Sequence, residues 1–239
     1  MADFKTHITT SSVLGVAYGI GGYIGFDLSL PQCLVGGTLC SVAGMLPDLD
    51  SKSGIPQREM LSFMSVLVPM LMIRRLESFG LDREMLAFSA GLIYVVVRFG
   101  VGWLFKRFTK HRGMWHSIPA AMIAGLVTFL ICLSPELHVR FFKAWAVVIG
   151  FVSHLILDEI YAVDWNGNQI RVKRSFGTAM KWLSGNYYAN ISTYGKLALL
   201  IFLAMNDASL MEYLGREPLE ITNTANDWLK DQLNDSVQR

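Results

Sequence analysis

Charge is scarce in this chain of 239 residues. Asp, Glu, Lys and Arg together make up 17%, against about a quarter in soluble domains. The net charge is only +2, and no dense basic stripe interleaved with aromatics occurs, so no nucleic-acid partner is expected. Cysteine is rare too. Cys33, Cys40 and Cys132 all lie in apolar stretches; an odd count without ligand spacing argues against a disulfide framework or a thiolate metal site, and the three read as small apolar residues. Internal repeats and low-complexity tracts are lacking. No small-residue cleavage site follows the polar start containing Asp3, Lys5 and His7, so the first segment reads as retained rather than as a removed signal peptide.

Apolar residues fill the space that charge leaves. They make up 52% of the chain, the mean hydropathy is +0.38, and they gather into runs at about 12–26, 31–46, 60–73, 85–105, 117–133, 141–157 and 195–206. Only 85–105 and 141–157 approach the roughly 20 residues of a straight crossing. The 60–73 and 195–206 runs are short enough to be interfacial or half-buried. Gly, Ser and Ala in the first two runs predict a tightly packed hairpin, because small residues let helices approach closely in a bilayer. The fold class expected is all-α: an integral membrane bundle of four to six crossings over residues 1–206, with a polar C-terminal tail, 207–239. The stretch 159–194 mixes cations with Tyr and Trp, which suits a segment at the membrane surface. Arg98, inside the fourth run, is expected to reach a polar cavity or a neighbouring carboxylate.

Histidine and aspartate collect at the ends of these runs. His7 precedes the first, and Asp48 and Asp50 follow the second, after Pro47. His111 and His116 lie before the fifth; His154 and Asp158 close the sixth. The i, i+4 spacing of His154 and Asp158 puts both on one face of a helix. Asp48-Leu49-Asp50 after a proline reads as a turn in which both carboxylates curl towards one point. His111 and His116 would splay on a continuous helix, so Gly113 is expected to open a loop there. Ser117 then caps the next helix, with Pro119 in its first turn.

If each of the first six runs reverses the direction of the chain, all four clusters fall on one face of the membrane. Their nitrogen and oxygen donors suit a divalent transition metal, and a metal site at that face is expected, with His138 left on the opposite one. The densest cationic group, Lys106, Arg107, Lys110 and Arg112, flanks the longest run on the cluster side. By the positive-inside rule that side faces the cytoplasm. Arg74, Arg75, Arg83, Arg140 and Lys143 fall on the other, joined by Arg216, Lys230 and Arg239 if the seventh run crosses.

At these residues the chain resembles the YdjM-like family of bacterial inner-membrane proteins, described as membrane-bound metal-dependent hydrolases. The matching pieces are Thr-His at His7, Leu-Pro-Asp-Leu-Asp-Ser at Asp48 and Asp50, His-Arg-Gly-Met-Trp-His-Ser from His111 to Ser117, and His-Leu-Ile-Leu-Asp at His154 and Asp158, within about residues 1–165. That family is distantly similar to the all-helical zinc-dependent phospholipase C and P1-type nuclease group, which uses His-x-x-x-Asp on a helix. The resemblance implies a multi-pass protein of the bacterial inner membrane with one to three zinc ions, or another divalent metal, hydrolysing a phosphoester. Read so, His7, Asp48, Asp50, His116, His154 and Asp158 hold metal. His111 accepts a proton, Arg112 neutralises charge on phosphate, and Arg171, Lys173 and Arg174 bind an anionic substrate. A divalent-metal transporter, or a membrane scaffold stabilised by metal without catalysis, is the alternative.

Overall fold

The computed structural model describes residues 3–50, 54–104, 113–166, 169–172 and 177–215. Its order is α1 (Phe4–Gly25), α2 (Leu30–Ala43), a 3-10 turn (Leu46–Asp50), α3 (Gly54–Glu77), α4 (Arg83–Val95) running into a π-helical turn (Val96–Val101), α5 (Ile118–Ile131), α6 (Leu137–Ile160), strands β1 (Val163–Asn166) and β2 (Gln169–Val172), α7 (Tyr187–Met205) and a short α8 (Ala208–Tyr213). The chain is a helical membrane bundle, with one antiparallel two-stranded ribbon in which Val163 pairs with Val172.

Capping residues start the helices where the sequence places them. Asp3 accepts a hydrogen bond from the Thr6 amide to open α1, and Ser117 accepts one from Ala120, with Pro119 in the first turn of α5. Glycines then bring the helices together. α1 and α2 form the expected hairpin, so close that a Cβ on Gly37 would sit 2.7 Å from the Gly15 carbonyl oxygen. A Cβ on Gly150 would overlap the Cys40 carbonyl oxygen, which locks α6 against the end of α2. Leu39, Cys40, Ala43, Ala146 and Val147 form the core at that crossing.

Among the described residues, three stretches are long and apolar enough to cross a membrane: Arg83–Leu104, Leu137–Ile160 and Tyr187–Met205; Leu30–Ala43 and Ile118–Ile131 are shorter apolar helices. The third departs from expectation. The 195–206 run belongs to a 19-residue helix, because Asn186 caps it and Tyr187 to Tyr194 continue the same turns. The polar segment therefore ends near residue 186. The 60–73 run likewise lies inside the 24-residue α3. Arg98 lies in the π-helical turn, with its guanidinium 5.7 Å from the centre of the Phe99 ring. Among the described residues no carboxylate pairs with it. Residues 216–239 of the expected tail lie outside the described residues.

Candidate metal centre

Five of the residues singled out in the sequence meet at one end of the bundle. His7 comes from the first turn of α1, Asp48 from the 3-10 turn after α2, His116 from the turn before α5, and His154 and Asp158 from the last turns of α6. The side chain of Asp48 keeps 16% of its accessible surface. The other four residues are at most 3% exposed.

Local structure aims these side chains. Gly44, the first residue beyond α2, leaves its carbonyl free of the helix ladder, and it lies 2.7 Å from Nδ1 of His154. An imidazole that donates Nδ1–H to that carbonyl presents a bare Nε2 lone pair to the pocket, an arrangement typical of metal-bound histidine. Trp115 donates its indole N–H to the Leu46 carbonyl at 2.8 Å, tying the His116 turn to the turn that carries Asp48.

The ligand atoms fall into two groups, His7 with His154 and Asp158, and Asp48 with His116 and His154. Within each group they lie within 4.8 Å of one another. Nε2 of His7 is 3.3 Å from Oδ1 of Asp158. Nε2 of His154 is 3.8 Å from Asp48 Oδ1 and 3.9 Å from Asp158 Oδ2. The His7 and His154 rings stack at 3.7 Å. The shortest of these donor separations equals the roughly 3.3 Å between ligands of a tetrahedral ion with bonds of about 2.0–2.1 Å, and the other two are somewhat longer.

The donor set fits a cation on electrostatic grounds too. Nε2 of His154 and both Asp158 oxygens are buried without a hydrogen bond of good geometry. With its Nδ1 proton given to Gly44, His154 turns a lone pair on the lone pairs of two carboxylates. A buried carboxylate in that position costs several kcal/mol unless a positive charge compensates it. His154, Asp158 and Asp48 are the groups that would hold a divalent ion here, and its charge would compensate theirs.

Residues 1–171 match the YdjM inner membrane protein family. The chain belongs to that family. Curated proteins and solved structures give no match. The matched stretch covers α1 to α6 and nearly all of the ribbon, so every residue of the pocket lies within the family region, while α7 and α8 lie beyond it.

The side chains of the remaining expected site residues are not among those described. His111, Arg112, Lys173 and Arg174 lie outside the described residues, as do the side chains of Asp50 and Arg171. His138 is exposed, with Nε2 3.9 Å from Glu136.

At the opposite end of α6 is a polar cluster that the sequence reading missed. Arg140, counted in the sequence only among the cations of the opposite face, is fully buried; it donates to both Asp207 oxygens, at 2.6 and 2.8 Å, and to the Phe129 carbonyl at 3.1 Å. Arg75 lies 3.6 Å from the same carboxylate. Burial raises the Asp207 pKa, but the hydrogen bonds and charge of Arg140, with the charge of Arg75, outweigh it and hold the carboxyl below its usual range. The signal was available. Arg140, Val147, Phe151, His154 and Asp158 recur at helical spacing on one buried stripe of α6. Arg140 and Asp158 are 18 positions apart, about 27 Å along a helix, close to the roughly 30 Å of a hydrocarbon layer. The two polar clusters are thus about one hydrocarbon thickness apart along α6.

Proposed function

We propose that the chain is a membrane-bound, metal-dependent hydrolase of a phosphoester, with one divalent ion, zinc by donor type, held by His7, Asp48, His116, His154 and Asp158. The carrying observation is the buried Nε2 of His154, aimed at two carboxylates by the Gly44 carbonyl. His154 belongs to both ligand groups and has a single lone pair to give. That favours one ion shared by all five residues over separate ions for the two groups.

When bound, a divalent ion supplies Lewis acidity towards a phosphoryl oxygen and brings the pKa of water towards neutrality. The protein's part is orientation and charge. Gly44 fixes the tautomer and angle of His154, and the stacked His7 ring limits its rotation. Asp48, the most exposed member, stands at the rim where substrate approaches. Asp50, which shares the 3-10 turn with Asp48, is proposed as a further ligand. His111 and Arg112 adjoin the His116 turn in sequence and are proposed as proton acceptor and phosphate counter-charge. Arg171, Lys173 and Arg174, which follow α6, are proposed to hold an anionic substrate. The protein is proposed to cross the inner membrane several times with this pocket on the cytoplasmic side.

Near-complete burial of four of the five residues favours a second reading, a closed structural metal that stabilises a scaffold. A transporter fits less well, because its ionisable residues belong near mid-membrane, whereas these sit at helix ends. One assay separates enzyme from scaffold: purified protein with Zn²⁺, on bis-p-nitrophenyl phosphate and on phospholipid vesicles. The enzyme reading expects metal-dependent turnover that His154→Ala abolishes. Stoichiometric metal without turnover of either substrate supports the scaffold.

A further inference from the structure

Four of the five pocket residues are buried, and one stretch of chain spans two of the elements that carry them. Residues 177–183, without regular secondary structure, lie between the ribbon and α7. Glu159, next to Asp158 on α6, accepts hydrogen bonds through its carboxylate from the amides of Gly177 at 2.7 Å, Ala179 at 2.7 Å and Met180 at 3.3 Å. One residue further on, the Lys181 carbonyl accepts the Ile118 amide at 3.2 Å, two positions after His116. The stretch thus bridges the end of α6 that holds Asp158 and the start of α5 that follows His116. Within the stretch, the Ala179 side chain is buried.

Its outer edge is of another character. Trp182 and Leu183 are 58% and 64% exposed, and Tyr187 and Tyr188, at the start of the membrane-length α7, are 73% and 83% exposed. The Tyr194 hydroxyl donates to the Trp182 carbonyl at 2.9 Å, fastening this edge to α7. Large aromatic groups at the head of a spanning helix belong at headgroup depth.

We infer that residues 177–183 are a cover over the His–Asp pocket, latched by Glu159, with the Trp182–Leu183 edge resting in the lipid headgroup layer. Three amides held by one carboxylate form a single joint. They are charge-assisted hydrogen bonds, stronger than neutral ones, and they release together when that carboxylate is lost. Bilayer contact at the edge and access to the pocket are then joined through the same short segment. Glu159 is a positioning residue: it holds the cover and touches none of the metal-site atoms. The inference takes from the metal-site reading only the identity of what is covered, and its test needs no metal.

Metal-stripped protein in phospholipid nanodiscs is treated with diethyl pyrocarbonate, and each histidine is followed by peptide mass spectrometry. In the parent protein exposed His138 should react fast, and His7, His116 and His154 slowly. Glu159→Ala is expected to raise the rates at His116 and His154 about tenfold, the factor that 1.4 kcal/mol makes in an opening equilibrium, with His138 unchanged. Glu159→Gln, which keeps one acceptor oxygen, should fall between and covers the case in which the alanine variant does not fold. Hydrogen–deuterium exchange should show the amides of Gly177, Ala179 and Met180 released in step. Released amides with unchanged His154 reactivity would place the entrance at Asp48 and overturn the cover; amides that stay protected would overturn the latch. A nitroxide on Leu183→Cys, with Cys33, Cys40 and Cys132 replaced, should collide more with oxygen than with a water-soluble nickel chelate. The reverse preference would overturn the lipid contact. Failure of the metal-site reading shows separately, as parent protein that binds no zinc.

Discussion

Asp158→Asn changes one oxygen to nitrogen and nothing in size, yet its effect should change sign with metal. Without an ion, the buried Asp158 carboxylate faces Nε2 of His7 at 3.3 Å and of His154 at 3.9 Å, and Asp48 presses on His154 from 3.8 Å. Removing that charge relieves desolvation, so the metal-free variant should be as stable as the parent or more so. With an ion the balance reverses. At a free metal concentration 100 times Kd, binding stabilises the parent by about 2.7 kcal/mol. Loss of second-shell partners alone weakens metal sites by about 10–100-fold, and loss of a charged ligand should do at least as much. At the same concentration the variant therefore keeps at most about half of that stabilisation, or almost none at the upper end. Thermal unfolding in detergent, with excess Zn²⁺ and with EDTA, measures both terms. A metal-dependent rise in Tm equal in parent and variant would refute the reasoning, as would an Asp158→Asn protein less stable than the parent in EDTA.

The remaining expectations follow from other parts of the structure. Asp207→Asn leaves the fully buried Arg140 without its counter-charge and should destabilise by about 3–5 kcal/mol, read as a lower Tm in detergent. The folded Asp207 pKa lies below its unfolded value, so its contribution is complete above the unfolded pKa of about 3.9 and is lost as pH falls through the lower folded pKa. An Asp207-dependent stability difference that grew on acidification below that point would contradict the assignment. Gly150→Leu drives a side chain into the Cys40 carbonyl; by moving His154 off Gly44 it should weaken Zn²⁺ binding at least about tenfold, measured by competition with a chromophoric chelator. A single cysteine at Lys52 or Lys110, in a background lacking the native three, should resist an impermeant thiol reagent in intact cells and react after lysis. Labelling of intact cells would put the pocket on the outer face.

Much of the fold was legible because its determinants are local. The small residues of α1 and α2 predict their hairpin, and Ser117 with Pro119 predicts the start of α5. His154 and Asp158 share a helical face by spacing alone. The parity of the runs gives a reason for His7, Asp48 and His116 to lie at the same end. What escaped depends on contacts between distant parts of the chain. Arg140 and Asp207 are 67 positions apart, and a cation in the first turn of an apolar helix looks like any other snorkelling residue until its periodicity is followed. The start of α7 escaped because Tyr187 to Tyr194 is too polar to read as part of a span, and only the Asn186 cap announces it. The ribbon at Val163–Val172 escaped because its pairing is set by cross-strand neighbours rather than by an apolar run.

The central claim is that the five converging side chains hold one divalent ion, and metal content tests it most directly. Protein purified in detergent without chelators, then dialysed and analysed by inductively coupled plasma mass spectrometry, should carry close to one zinc or other divalent transition metal per chain. The His154→Ala/Asp158→Ala double variant should carry essentially none, and His138→Ala should match the parent. A folded parent protein that stays metal-free after equilibration with Zn²⁺, or a double variant that retains its full complement, would contradict the account.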